Sequence, residues 1–133
     1  MATILSNRRS VLKHLAKYQQ RGETMKFFTI SELPQKEVLQ GITLKSVHLQ
    51  NLMVTFVTLA PGAVLPEHSH EHEQISVIVS GMLRFTVEGE ERIVSAGHVV
   101  RIPSNALHGA EVIEGPCIVY DSWSPVRNDY IIK

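Results

Sequence analysis

Turn-forming residues break this chain at short intervals. Beyond Met25, the breaks fall at Gln50-Asn51, Pro61-Gly62, Ser80-Gly81, Gly89, Ala96-Gly97 and Pro103, and the runs between them are rich in Val, Ile, Thr and Phe. Runs of that length and composition favour strands over helices, and many short strands in succession specify an antiparallel sandwich or barrel. Strands are predicted over 42–49, 52–59, 74–79, 82–87, 91–94, 98–102, 108–113 and 117–123, with a hairpin across Ser80-Gly81. Residues 31–41 read as a connector containing one helical turn. At 133 residues the chain suits a single domain able to bury a core.

The first 22 residues differ from the rest. They hold Arg8, Arg9, Lys13, Lys17 and Arg21 and no acid, whereas residues 25–133 carry 8 basic and 12 acidic side chains. Val11, Leu12, Leu15 and Tyr18 have helical spacing, so a short amphipathic helix capped by Ser6 or Asn7 is expected. The segment lacks the apolar core of a secretory signal. An organellar transit peptide shares its composition, and Met25 offers an alternative start after a tract whose codons can be purine-rich. Residues 1–24 are therefore read as an N-terminal extension and 25–133 as the barrel domain.

Formal net charge is zero, which gives no overall attraction to nucleic acid or to membranes. No apolar run approaches bilayer-spanning length. The single cysteine, Cys117, excludes an intrachain disulfide and fits a reducing compartment, so a cytoplasmic location is expected. Its neighbours Pro116 and Ile118 suggest a buried small hydrophobe rather than a nucleophile.

Chemistry concentrates in residues 62–81. Three of the seven histidines, His68, His70 and His72, fall within five residues, followed by Gln74. Neutral imidazole is the commonest protein ligand for divalent metals. On an extended backbone His68 and His70 project from one face, and Gln74 keeps that parity. A solvated, histidine-rich loop is the competing reading, because Glu67, Glu71 and Glu73 surround the cluster. A second stretch, 97–108, has Gly97, Pro103 and Asn105 placed for a turn before a strand that begins near His108.

Together the two stretches resemble the paired motifs of the cupin superfamily. Gly62, His68, His70, Gly81, Gly97, Pro103 and His108 all fall in register, and the likeness spans roughly residues 42–124. It implies an all-β, single-domain double-stranded β-helix, a jelly-roll barrel. One divalent transition metal would be held inside by His68, His70, Gln74 and His108. Nickel, iron, manganese, zinc and copper all suit such a set. Three positions depart from the family pattern. Gln74 replaces the usual Glu, Asn105 a turn Gly, and Val112 a final Asn. A neutral amide leaves the metal one charge more positive and a stronger Lewis acid. Strand parity favours Gln74 over Glu73. His72 falls outside the motif's ligand set and reads as a cavity-lining residue. His14, His48 and His98 read as ordinary packed or surface histidines.

The tail narrows the resemblance. Asp121 and Trp123 share one strand face, and Asp-x-aromatic-Ser-Pro-x-Arg-x-Asp-Tyr is similar to the C-terminal signature of the small bacterial pectin-degradation cupins. Lys26-Phe27-Phe28 and Glu32-Leu33-Pro34 resemble their usual start, which favours Met25 as the initiator. That resemblance implies an isomerase converting an unsaturated uronate into a linear keto sugar acid. Asp121 would transfer the proton, Trp123 would provide a stacking wall, and Arg127 would hold the substrate carboxylate. The competing structural reading has Asp121 capping a turn, Trp123 filling the barrel mouth and Arg127 pairing on the surface. Two other functions stay open: a quercetinase-like dioxygenase using the same ligands, and a non-catalytic sugar- or metabolite-binding module. The expected partners are a small-molecule sugar acid and a second copy of the chain in a homodimer.

Overall fold

The computed structural model describes residues 8–10 and 25–133. Residues 8–10 are helical. The remainder of the helix predicted near the N-terminus, with Val11, Leu12, Leu15, Tyr18 and the caps Ser6 and Asn7, lies outside the described residues, as does His14. The chain packs as two units, Met1–Leu33 and Pro34–Lys133. In the first, Ile30–Glu32 form a 3-10 turn.

Eight strands build the second unit. They are β1 (Lys36–Leu39), β2 (Ile42–His48), β3 (Met53–Leu59), β4 (Val64–His68), β5 (Glu73–Val87), β6 (Glu90–Ser95), β7 (Val99–Ile102) and β8 (His108–Ser124). All pairings are antiparallel, in the order β1-β2-β3-β8-β5-β6, with β4 on β8 and β7 on β5. The β5–β8 ribbon runs nearly the full length of both strands, from Glu73↔Ser124 to Val87↔His108. At one end β3 and β7 extend it, at the other β4 and β6 do. This is the double-stranded β-helix that the cupin resemblance implied.

Two corrections follow. The hairpin predicted across Ser80-Gly81 does not form, because β5 continues through it and stays paired with β8 on both sides. Likewise 108–113 and 117–123 are halves of one strand. In each case the inward parity changes phase midway. Buried residues of β5 are Gln74, Ser76 and Ile78, then Leu83 and Phe85; those of β8 are His108, Ala110 and Val112, then Cys117, Val119, Asp121 and Trp123. The phase change in β5 coincides with register shifts between Ile78 and Leu83. A bulge of this kind bends a strand around a barrel corner. In sequence, a phase break beside a glycine is indistinguishable from a turn.

Strands β1 and β4 were not anticipated. The first is mostly exposed and carries Lys36 and Glu37. The second contains Pro66, which lacks an N–H and is tolerated in a short, irregularly paired edge strand. Neither shows the alternation that marks a half-buried strand.

The alternating faces of β2, β3, β5 and β8 enclose an apolar core that includes Leu44, Ile78, Leu83, Phe85, Ile102 and Cys117. Cys117 is fully buried, and its thiol lies against the carbonyls of Met82 and Glu114. Burial pushes its pKa up, as expected for an inert structural thiol.

Gly81 is where the two long strands press together. Its φ is +84°, and a Cβ built there would lie 2.5 Å from Cys117 Sγ and 2.8 Å from both Cys117 Cα and the Pro116 carbonyl oxygen. Backbone atoms cannot yield as a side chain does. Gly89 has a similar φ of +79° with nothing within 4 Å of such a Cβ. Gly89→Ala should therefore cost only the left-handed penalty of about 1 kcal/mol. Gly81→Ala should add overpacking and cost about 3 kcal/mol or more. Denaturant melts of the two variants test this, and equal losses would show that Gly81 is needed for its backbone angle alone.

Candidate metal centre

The site is assembled by strand register. His68 ends β4 and His108 begins β8, and these two residues are direct cross-strand partners. Gly109 permits that approach: a Cβ on it would lie 2.9 Å from the Leu65 carbonyl oxygen and 3.1 Å from the Glu67 nitrogen. His70 sits in the short connection between β4 and β5, not on a strand. The turn before β8 holds that connection in place. The Asn105 N–H donates to the His70 carbonyl at 2.7 Å, and the Ser104 hydroxyl donates to the Glu71 carbonyl at 2.6 Å. Asn105 adopts φ +65°, the left-handed turn conformation that asparagine tolerates.

These constraints bring the three imidazoles together. Ring centroids are 4.3 Å apart for His68–His108, 4.8 Å for His70–His108 and 5.5 Å for His68–His70. One nitrogen from each lies within 4.8 Å of the others. In every ring Nδ1 faces a backbone carbonyl: Pro66 at 2.8 Å for His68, His72 at 2.9 Å for His70, and Ala106 at 2.8 Å for His108. Each Nδ1 is therefore the protonated nitrogen, leaving the Nε2 lone pair available to a metal. Burial, reinforced by the neighbouring His68, His70 and Arg127, lowers the His108 pKa to about 4, and burial likewise lowers that of His70. Both rings are neutral at pH 7, the state a metal requires.

Two observations fit a cation at the centre. His108 Nε2 is buried without a hydrogen-bond partner. Gln74 Oε1 faces His70 Nε2 at 3.1 Å, so with His70 in its Nδ1–H form two lone pairs confront each other. A cation between them would turn that repulsion into coordination. The amide orientation is fixed from behind, because Gln74 Nε2 donates to Ser76 Oγ at 3.0 Å. Gln74 is buried and Glu73 exposed. The histidine triad is thus suited to metal binding.

Around it, β3, β8 and β5 lay down two cross-strand rows, Thr55–Asp121–Ser76 and Met53–Trp123–Gln74. All six side chains face inward and are buried. Asp121 caps no turn; it stands in mid-strand with Oδ1 buried and unpartnered among the described residues. Burial raises its pKa to about 6, an effect that Ser76 and Gln74 partly offset. Trp123 lies 5.3 Å from the His70 ring, and its Nε1 donates to Thr55 Oγ1 at 3.0 Å. Arg127 follows the last strand and returns over the indole. Its Cζ is 4.9 Å from the Trp123 ring and 4.0 Å from the Tyr130 ring. Asp129 accepts from Nε and Nη2 at 3.0 and 2.7 Å, whereas Nη1 is buried without a partner among the described residues. Arg127 therefore does pair, but with only one side of its guanidinium.

His72 contributes its carbonyl to His70 and its ring to an edge contact with Trp123. His48 and His98 serve local contacts to Leu49 and Ser95. Thr55, Ser76 and Tyr130 were given no role by the sequence. The only available signal was parity: Thr55 and Ser76 fall on inward positions of the strands flanking β8.

An inner cavity of about 70 Å³ is lined by His68, Gln74, His108, Asp121 and Trp123 above an apolar floor. A wider basin of about 450 Å³ is lined by Lys36, Pro66, Arg127 and Asp129, and it shares His68, Leu39 and Tyr130 with the inner cavity.

A jelly-roll barrel closing on an inward imidazole triad suited to a metal defines a class of β-barrel proteins. The cupin domain pattern matches residues 55–123, and the chain belongs to the cupin family. Among its relatives, the pectin degradation protein KdgF of Dickeya dadantii is 32% identical over 108 residues, covering 80% of this chain and 98% of that protein. The structure of KdgF from Halomonas sp. is 36% identical, with a TM-score of 0.76 over 81% of this chain and 100% of that one. An RmlC-like cupin from Shewanella frigidimarina superposes with a TM-score of 0.77 at 26% identity, covering 81% of this chain and 97% of the other. No helix among the described residues is long and apolar enough to cross a membrane.

If the triad holds a metal, chelation should lower the melting temperature of the purified protein by about 4 °C or more. His108→Ala should carry no stoichiometric metal by elemental analysis and should not respond to chelator. A variant that keeps its metal would remove His108 from the centre.

Proposed function

We propose that this protein is a metal-dependent isomerase that converts an unsaturated uronate into a linear keto sugar acid. The observation that carries the reading is the convergence of three kinds of group on one barrel end. These are the histidine triad with Gln74, the Asp121 carboxylate, and the half-paired guanidinium of Arg127. The similarity to two KdgF proteins, one of them described as a pectin degradation protein, supports the substrate class.

His68, His70, Gln74 and His108 would hold one divalent metal, which when bound supplies Lewis-acid polarisation of substrate oxygens. With an amide in place of a carboxylate, no ligand charge is added to offset the metal's own. Each of the protein's other groups then has a distinct task. Arg127 Nη1, left free by Asp129, donates to the substrate carboxylate. Trp123 and Tyr130 pack against that guanidinium and offer apolar surface to the sugar. The conversion gains and loses no atoms: the ring opens to an enol, and one proton passes from oxygen to carbon. Asp121 carries that proton, because it is the buried carboxylate facing the inner cavity and has an oxygen with no other partner. The inner cavity is smaller than the roughly 300 Å³ of ordinary ligand pockets, while the outer basin exceeds that figure. The body of the sugar therefore sits in the outer basin, and its reacting end reaches inward past His68.

Metal-loaded protein should speed the loss of ultraviolet absorbance of an unsaturated galacturonate without consuming oxygen. Oxygen uptake with a flavonol would instead favour the dioxygenase, and binding without turnover the sensor module. Asp121→Asn should keep its metal and lose about a hundredfold or more in kcat; full activity would remove Asp121 from proton transfer. Arg127→Lys keeps the charge but not the planar fork, so KM should rise about tenfold with a smaller change in kcat. An unchanged KM would show that the carboxylate is held elsewhere.

A further inference from the structure

Thr55 is a buried polar side chain on β3 to which the proposed chemistry gives no part. Its side chain is fully buried and accepts the Trp123 indole N–H at 3.0 Å. Trp123 is the only tryptophan in the chain. The Arg127 guanidinium packs against two rings at once, with Cζ 4.9 Å from the Trp123 centroid and 4.0 Å from the Tyr130 centroid. Trp123 and Tyr130 also touch directly, with centroids 5.6 Å apart and planes at 74°.

A buried indole with no N–H acceptor can turn about its side-chain bonds to any position its apolar contacts allow. A fixed acceptor removes that freedom, because the N–H must point at one oxygen. We infer that Thr55 is a positioning residue: by accepting the Trp123 N–H it sets the plane of the indole, and through it the direction in which Arg127 presents its unpaired Nη1. Asp129 fixes one edge of the guanidinium in its own plane. It does not fix the tilt of that plane; the Trp123 and Tyr130 rings packed against it do. Thr55 is also the direct cross-strand partner of Asp121. One backbone position thus ties the proton-transfer strand to the support of the carboxylate anchor. A phenylalanine in place of Trp123 would fill similar space but would have no N–H to direct, so Thr55 matters only because the wall is an indole.

The inference rests on Arg127 as the carboxylate anchor, and its test separates the two. In Thr55→Val the shape is kept and the acceptor lost; in Thr55→Ser the acceptor is kept. Thr55→Val should raise KM for the unsaturated uronate about tenfold, the size of one lost buried hydrogen bond, with kcat within about twofold. Thr55→Ser should restore the wild-type KM. Independently of activity, the Trp123 Nε1–H and Arg127 Nε–H cross-peaks in a nitrogen–proton correlation spectrum should both move in Thr55→Val and return in Thr55→Ser. A shift of the indole peak alone, with KM unchanged, would overturn the inference. If Thr55→Val does not fold, Trp123→Phe and Trp123→Phe/Thr55→Ser decide the matter. Without an indole N–H, Thr55→Ser should leave both KM and the Arg127 peak where Trp123→Phe puts them, and a further change would overturn the coupling. If the wild type shows no turnover, the uronate reading falls, and the paired cross-peak shifts alone decide whether Thr55 orients Arg127.

Discussion

The antiparallel pairing of β5 with β8 is the constraint on which the rest depends. It runs from Glu73↔Ser124 to Val87↔His108, and every other strand except β1 and β2 adds to one of these two. Because side chains alternate with a period of two, the register fixes which residues can meet inside. It places Gln74 beside Trp123 and Ser76 beside Asp121, while at the far end it leaves His108 free to face His68 on β4. A slip of one residue would turn Gln74, Asp121 and Trp123 outward and replace them with Glu73, Ser122 and Ser124. The bulge at Ser80–Met82 makes this geometry possible over so long a ribbon. It shifts the phase once, so that both halves of a bent strand still bury their apolar side.

The metal centre shows how much of a site is backbone. All three imidazoles are oriented by carbonyls two residues away in sequence, and the connection carrying His70 is tied to the turn carrying Asn105. Such partners fix the tautomer and the ring angle before any ion arrives. The amide of Gln74 is fixed in the same way by Ser76. A flexible loop of histidines would have to lose conformational freedom to bind a cation, whereas here the ordering is part of the fold. The result is a triad with its lone pairs converging and its protons turned away.

Much of this was legible in the chain. The strand cadence gave a sandwich or a barrel, the cupin resemblance implied the jelly roll, and the parity of residues 74 and 73, and of 121 and 123, gave the inward set. The paired glycine-histidine spacings gave the triad. What was not legible has physical causes. Ser80-Gly81 reads as a turn because a bulge and a hairpin use the same residue, and only long-range pairing with β8 distinguishes them. Strand β4 was hidden because Pro66 and Glu67 belong to an edge, where neither alternation nor donor capacity is required. Thr55 and Ser76 were silent because a lone hydroxyl on an inward face carries no signal until its partner across the sheet is known.

Gln74 gains its meaning from these surroundings. In an open site, exchanging a carboxylate for an amide would mostly weaken metal binding. Here the amide cannot turn away, since its nitrogen is held by Ser76, and the nearest carboxylate, Asp121, stands one row further along the same wall. In the proposed function, ligand and proton carrier would thereby be separated. A carboxylate at position 74 would place two acids side by side in a buried wall, and each would disfavour ionisation of the other. With glutamine there, Asp121 is left as the acid of that wall. In the proposed isomerase, the residue that departs from the family pattern would thus leave a single buried carboxylate for proton transfer.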